Sequence, residues 1–251
     1  MVVAGRVAAA PADPVRMAVV IPLANEQEGV ASLLDRVTAQ LDASDRVFCV
    51  VDRASRDQTR ERVSEYAARD PRVVLVWAPE NGCVVDAYFR GYREALAAGS
   101  KWILEMDGGL SHEPEQIPDF VRAMEQGFEF AGGSRFIRGG SHRGSAMRRF
   151  ISWGGTVLTN LLIGSRMRDM TSGFECFSRD ALTRVVQAGV SSRAHFFQTE
   201  IRIMMHRVRW VEVPIRYTNP SKRVGSSSLR EAFSVLWRLW RGKRSRAGSE
   251  P

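Results

Sequence analysis

From residue 17 to about residue 114 the chain alternates, four times over, between short apolar runs rich in β-branched residues and longer stretches with helical periodicity. MAVVI (17–21), RVFCVV (46–51), VVLVWA (73–78) and KWILEM (101–106) read as buried strands. Helices are expected over about 26–41, 57–69 and 84–98. A fourth begins near Pro114, a residue suited to a first helical turn. Alternation of this kind specifies an α/β domain with a mostly parallel sheet covered on both faces. Ligands of such sheets sit beyond the carboxyl ends of the strands. Candidate functional residues therefore fall within 22–26, 52–59, 80–86 and 107–112.

Two acids stand at those strand ends. Asp107 closes the fourth strand, in LEMDGGLSHEPEQIP. Gly108 and Gly109 after it allow close approach of a ligand to the backbone, and the carboxylate offers a hard oxygen. That pattern suits a divalent cation held to a diphosphate, and equally a plain Asp-Gly-Gly turn. Asp52 closes the second strand, where it can accept hydrogen bonds from a ribose or base, or simply form a turn. Asp57 is the better helix cap, with Thr59 in the same turn. The four histidines, His112, His142, His195 and His206, show no metal-ligand spacing. Cys49, Cys83 and Cys176 are odd in number and widely spaced, which fits reduced thiols in a cytosolic compartment.

The second half is less regular. Strands are expected at 128–136, 173–178 and 209–217, and helices over 150–163 and 196–206. Between them, 137–149 reads as a mobile basic loop holding Arg138, Arg143, Arg148 and Arg149, with Arg135 just before it. Arginine suits bidentate phosphate contacts, although charged loops are often only solvated. Lys222 and Arg223 mark a second basic loop in NPSKRVGSSS (219–228). The chain carries 36 Lys/Arg against 28 Asp/Glu, a net charge of +8. Residues 222–246 account for +7 of it, so the basicity is local, and a nucleic-acid binder would spread it over a groove or helix face. Within this region Leu229, Ala232, Phe233, Leu236, Trp237 and Trp240 form one stripe, with Arg230, Ser234, Arg238 and Arg241 opposite. The pattern is an amphipathic helix suited to an anionic membrane surface, an integral membrane partner, or its own domain. No apolar run reaches the ~18–20 residues of a membrane span. The expected organisation is a flexible leader over 1–16, without the apolar stretch of a signal peptide, one domain over 17–228, and the amphipathic helix with a basic tail over 229–251.

Several segments carry a family likeness. VVIPLANEQEGV resembles an opening strand with a P-x-Y-N-E turn, and CVVDRASRDQT resembles V-D-D-G-S-x-D-G-T. LEMDGGLSHEPEQIP resembles the metal motif D-A-D-L-S-H-x-P. GSRF, RRFISWGG, DMTSGFECFSRDAL, FFQTEI and VEVPIRYTNPSKRVGSSSL follow in the family's order. On these residues, from about 17 to 240, the chain resembles the dolichol-phosphate or polyprenyl-phosphate mannose synthases of glycosyltransferase family 2. The resemblance implies a single glycosyltransferase A domain, Rossmann-like, and a nucleotide-sugar donor, GDP-mannose above others. It also implies Mg²⁺ or Mn²⁺, and inverting transfer to a polyprenyl or dolichyl phosphate by a peripheral protein on the cytosolic face of a membrane. Matched by position, Pro22, Glu26, Asp52, Asp86 and Gly108 fall in the donor site and Asp107 on the metal. Arg135 and Arg148 fall near the diphosphate or acceptor phosphate, and Lys222 in a segment closing over phosphates. The departures cluster at the donor site: Ala24 replaces Tyr, Arg53, Ala54 and Gln58 replace Asp, Gly and Gly, and Gly109 replaces the second metal-motif Asp. Two other readings stand beside this one, a specialised-metabolism glycosyltransferase with another donor or a soluble acceptor, and a non-catalytic donor-like binding subunit. A phosphate acceptor needs no strong general base; for a hydroxyl acceptor, Asp169 or Glu200 would be the candidate base.

Overall fold

A computed structural model describes residues 15–218 and Val235. The elements run β1 (Met17–Leu23), α1 (Val30–Thr38), β2 (Arg46–Val51), α2 (Thr59–Arg69), β3 (Val73–Trp77), α3 (Val84–Ala97) and β4 (Trp102–Glu105). A 3-10 turn (Pro114–Gln116) leads into α4 (Ile117–Glu125). There follow β5 (Phe130–Ser134), β6 (Ser141–His142), α5 (Ala146–Ile163), β7 (Glu175–Ser178), α6 (Arg179–Ala188), α7 (Phe196–Met205), β8 (Trp210–Pro214) and β9 (Arg216–Tyr217). The main sheet has the order β3-β2-β1-β4-β7-β5-β8. All its pairings are parallel except those of β7, which runs antiparallel to both β4 and β5. The strand alternation read from the sequence thus yields a mostly parallel sheet.

Successive residues of β1 point to opposite faces, and each face has its own core. Val19 and Ile21 pack with Leu33, Leu34, Val37, Val63 and Phe120 of α1, α2 and α4. Ala18 and Val20 pack with Tyr88, Tyr92, Leu182, Phe197 and Ile201 of α3, α6 and α7. Helix α3 lies so close to the sheet that a Cβ at Gly91 would overlap Val20. That contact fixes the height of α3, and so of Tyr88, above the strand ends.

The structure corrects several boundaries. Helix α5 starts at Ala146, four residues before its expected start, because Ser145 Oγ accepts from the Arg148 amide at 3.3 Å and caps it. Arg148 and Arg149 are therefore helical. The expected mobile loop is tied down as well, since β6 within it pairs with β9. Helix α6 has no counterpart among the expected elements, although Ser178 at its start is a good cap, accepting from the Ala181 amide at 3.2 Å. The strand expected over 209–217 divides into β8 and β9, which join different sheets. Val15 is buried and Arg16 pairs with Asp45 at 2.6 Å, so the folded body reaches back into the segment expected as leader. The amphipathic helix over 229–241 lies outside the described residues but for Val235, which is helical and buried. Among the described residues no helix is long and apolar enough to cross a membrane.

Candidate active site

A cleft of about 670 Å³ opens over the carboxyl ends of β1, β2 and β4. Its wall includes Pro22, Glu26, Asp52, Asp107, Gly108, Arg135 and Arg148, so seven of the nine expected site residues meet in one place. Asp86 does not line it, and Lys222 lies outside the described residues.

At one end two loops are stitched together. The Asn25 amide donates to Ser55 Oγ at 3.1 Å, and the Arg56 amide donates to Asn25 Oδ1 at 3.0 Å. The Glu26 amide donates to Thr59 Oγ1 at 2.8 Å. Asp57 accepts from the amides of Gln27 and Thr59, at 3.0 and 3.1 Å, so it ties the start of α2 to the loop after β1. Desolvation opposes its charge, but these donors together with the hydroxyls of Thr59 and Ser55 hold its carboxyl down at about 2. Asp52 accepts from the Ala54 amide at 2.8 Å, so it forms the turn and faces the cleft at once. Glu26 is half-buried; desolvation first, then the nearby Asp57 charge, push its carboxyl up. Arg53 donates to the Pro79 carbonyl and does not line the cleft. Asp86, in the first turn of α3, accepts from the Gly82 amide at 2.9 Å and faces Arg193 at 3.2 Å. It shapes the segment through Gly82 and Cys83, which does line the cleft.

Asp107 sits at the centre. Its Oδ1 accepts from the Tyr88 hydroxyl at 2.8 Å and its Oδ2 from Ser111 Oγ at 3.2 Å. Its amide donates to His112 Nδ1 at 3.1 Å, which places the imidazole proton on Nε2, 3.8 Å from Asp107 Oδ2. His112 is buried and stacked on Phe174 with ring centroids 4.8 Å apart. Burial pushes its pKa down, so the ring is neutral near pH 7. Gly108 is required here, because a Cβ would stand 2.8 Å from the Pro22 carbonyl and 2.5 Å from Leu23. Sequence reasoning missed Tyr88 and His112 as partners of Asp107. The helical spacing that puts Tyr88 one turn past Val84 marks an inward face, not its target.

At the other end Arg135 is buried and forked onto Asp169, with bonds of 2.7 and 2.8 Å, and it also reaches Thr171 at 2.6 Å. Burial alone would raise Asp169, yet Arg135, with Arg202 nearby, holds its carboxyl well below the usual range. Arg202, fully buried, donates to Glu175, to the Asp169 carbonyl and to the Gly133 carbonyl. Asp169 and Glu200, the bases considered for a hydroxyl acceptor, are both buried and engaged. Glu200 accepts from the amides of Ser191 and Ser192 at 2.8 Å each, and neither acid lines the cleft. The structure removes both from that role.

The sequence pattern of glycosyl transferase family 2 matches residues 18–186. The chain belongs to that family. It is 31% identical over 244 residues to the undecaprenyl-phosphate mannosyltransferase of Micrococcus luteus, covering 93% of this chain and 99% of that one. It is also 31% identical to the polyprenol monophosphomannose synthase of Mycolicibacterium smegmatis, over 92% of this chain and 90% of the relative. The dolichol-phosphate mannosyltransferase of Pyrococcus furiosus is 30% identical over 91% of this chain and 65% of its own length. Among solved structures, the fold is similar to glucosyl-3-phosphoglycerate synthase from Mycobacterium tuberculosis in complex with uridine diphosphate. That match has a TM-score of 0.65 at 17% identity and covers 90% of this chain and 80% of that one. The expected glycosyltransferase A architecture and the glycosyltransferase class both stand.

In this family 2 glycosyltransferase the donor set can be tested against a divalent cation. Among the described residues no three His, Cys, Asp or Glu side chains converge on a common point. Asp107 keeps lone pairs beyond its bonds to Tyr88 and Ser111, and Gly109 leaves open space facing Glu26, whose Oε1 lies 3.6 Å from where a Cβ would stand. One carboxylate and free space fit Mg²⁺, which keeps several waters and is often bound through one or two carboxylates plus substrate phosphates.

Proposed function

We propose that this chain moves a sugar, mannose from GDP-mannose, from a nucleotide-sugar to a polyprenyl phosphate with inversion at the anomeric carbon. The observation that carries this reading is the continuous cleft. It joins carboxylates at the strand ends, Asp52 and Asp107, to a cationic wall that includes Arg148 of α5. The mannosyltransferases that it resembles over more than nine-tenths of its length support the acceptor class.

In the proposed reaction an acceptor phosphate oxygen attacks the anomeric carbon as the bond to the donor diphosphate breaks, and the nucleoside diphosphate leaves. The attacking oxygen is already anionic near neutral pH, so no side chain has to remove a proton. This agrees with the buried, engaged state of Asp169 and Glu200. The protein's work is placement and charge stabilisation. Pro22, Glu26 and Asp52 border the nucleotide, and Tyr88 with Ser111 orients the Asp107 carboxylate toward Mg²⁺ or Mn²⁺. That cation, when bound, neutralises charge developing on the leaving diphosphate. Arg148, and Lys222 from the segment after β9, meet phosphate oxygens. Arg135, gripped by Asp169, gives the wall a fixed shape. The proposed setting is the cytosolic face of a membrane.

The test is incubation of the full chain with labelled GDP-mannose, polyprenyl phosphate and Mg²⁺ or Mn²⁺. A mannosyl-phosphoryl-polyprenol product supports the proposal. Product only from another nucleotide-sugar corrects the donor, and product only with soluble acceptors overturns the acceptor. Donor binding with no product under any condition leaves a binding subunit.

A further inference from the structure

The cleft wall that carries Arg135 and Arg148 also carries His142 and Tyr217. Both come from the small sheet of β6 and β9, in which they are register partners. The Ser141 amide donates to the Ile215 carbonyl at 2.8 Å and the Arg143 amide to the Tyr217 carbonyl at 3.0 Å, so the backbone is pinned on both sides of His142. The imidazole is held as firmly. Its ring packs against that of Tyr217, with centroids 5.4 Å apart. Gly144 closes on the ring edge: a Cβ there would stand 2.3 Å from His142 Cε1, and its three nearest atoms beyond the chain neighbours would all belong to His142. The Gly144 amide donates to His142 Nδ1 at 2.8 Å.

That last bond decides the chemistry of the ring. Nδ1 accepts, so the proton of the neutral imidazole is on Nε2. Burial first, then the Arg135 charge, push the His142 pKa down, with Asp169 opposing and Arg148 adding a little, so the ring is neutral near pH 7. Among the described residues nothing accepts from Nε2. The nearby acid is occupied, since Asp169 is forked by Arg135 and does not line the cleft. The wall thus presents a fixed N–H donor in a cationic setting. Its complement is an anion rich in acceptor oxygens, which is a phosphate.

We propose that His142 is a phosphate-binding residue of the transfer site, its Nε2–H donating to a phosphate oxygen of bound substrate. The inference rests on the transfer reading and deepens it by naming a group that grips phosphate at the β6–β9 wall. Two phosphates enter that reaction, the acceptor monoester and the donor diphosphate, and the same chemistry serves either. Because Nε2 already carries its proton, His142 is not the base that a hydroxyl acceptor would need.

The experiment pairs two substitutions in the full chain. His142→Phe and His142→Gln both remove the Nδ1 acceptor of the Gly144 amide. Phe keeps a ring without a donor, whereas Gln brings an amide N–H to about the reach of Nε2. With GDP-mannose, a short-chain polyprenyl phosphate and Mg²⁺, His142→Phe should raise KM for one substrate by about 10- to 100-fold, and His142→Gln should recover most of that loss. A rise confined to polyprenyl phosphate assigns the acceptor phosphate, and one confined to GDP-mannose assigns the donor diphosphate. Gly144→Ala, which pushes the ring aside without changing its chemistry, should act as His142→Phe does. Unchanged KM for both substrates in His142→Phe would overturn the proposal, as would equal impairment of the Phe and Gln variants. A second readout needs no turnover. Heteronuclear NMR of the imidazole nitrogens, with His142 assigned by the signal that His142→Phe removes, should show the Nε2–H tautomer. Farnesyl phosphate or GDP should shift that resonance, and farnesol should not. An Nδ1–H tautomer, or no shift with either phosphate, would sink the idea. A shift in a protein that forms no mannosylated lipid keeps the phosphate contact and removes the transfer reading instead.

Discussion

At the scale of single residues, the chemistry turns on how Asp107 is held. Its two oxygens take bonds from Tyr88 and Ser111, and its backbone is read by His112. A hydrogen bond to a charged group is worth about 1.5–3 kcal/mol. Tyr88→Phe should therefore lower transfer by about 10- to 100-fold. Steady-state kinetics beside a thermal melt checks this; a loss of activity matched by an equal loss of stability would mean that Tyr88 only packs. Asp107→Asn should abolish transfer while the protein still melts near the wild-type temperature, and near-normal turnover would remove this residue from its role. Gly109→Asp restores an acid whose Cβ would stand 3.6 Å from Glu26 Oε1. Two like charges ~4 Å apart repel by about 1 kcal/mol in water and about 4 near a protein surface. The variant should melt lower than wild type without metal, bind Mn²⁺ more tightly by calorimetry, and regain stability when Mn²⁺ is added. Equal Mn²⁺ affinity in the two proteins would show that position 109 does not face the ion.

At the scale of elements, the antiparallel pairing of β7 with β4 sets Glu175 opposite Glu105, both fully buried. Gln198 reaches Glu105 at 3.3 Å, and Arg202 is bonded to Glu175. Burial pushes both carboxyls up, Glu175 to about 7 despite Arg202, and Glu105 well above the usual carboxylate range, with the charges of Glu175 and Asp107 adding to the push. Raised pKa values mean that the folded state binds these protons more tightly than the unfolded chain does. Their contribution is present in full below the unfolded value of about 4.3 and is lost as pH rises through the folded one. Asp169 has the opposite sign. Its depressed carboxyl contributes above the unfolded value of about 3.9, and that contribution is lost as pH falls below it. Glu105→Gln keeps an acceptor for Gln198 and removes a buried carboxyl that holds its proton in the folded state and loses it on unfolding, so the melting temperature should rise at pH 8 and its decline from pH 5 to 8 should flatten. An unaltered decline would place the titration elsewhere. Asp169→Asn should cost about 3–5 kcal/mol in urea unfolding, since it leaves the buried Arg135 uncompensated. A cost under 1 kcal/mol would show that solvent reaches the pair.

At the scale of the whole molecule, one cleft draws its walls from the ends of three strands and from helices far apart in the chain, α3 and α5 among them. Ligand that binds only the folded protein stabilises it by about 2.7 kcal/mol at a hundredfold excess over Kd. For a chain of this size that is a rise of about 5–10 °C in melting temperature. GDP with Mg²⁺ should produce such a rise in wild type and a smaller one in Asp107→Asn. No shift with any nucleoside diphosphate would argue that the cleft is not a donor site.

Local pattern was enough to place β2 over 46–51, residue for residue, and to bring α3 within one residue of its end. It also placed Asp52 and Asp107 at strand ends facing a ligand, because strand length, side-chain alternation and glycine placement are properties of neighbouring residues. Pairings across the fold were beyond its reach. Arg135 and Asp169 are 34 positions apart, Tyr88 and Asp107 are 19 apart, and neither pair has a spacing rule. They meet only because β5, α3 and β4 are brought together by the order of the sheet. The apolar residues of α5 are plain in the sequence and are the usual mark of a core helix. Periodicity says which side of a helix is apolar but not what covers it. On α5 Thr156, Thr159 and Ile163 face the protein while Phe150, Trp153 and Leu161 are exposed, and that is a decision only the packed chain could make.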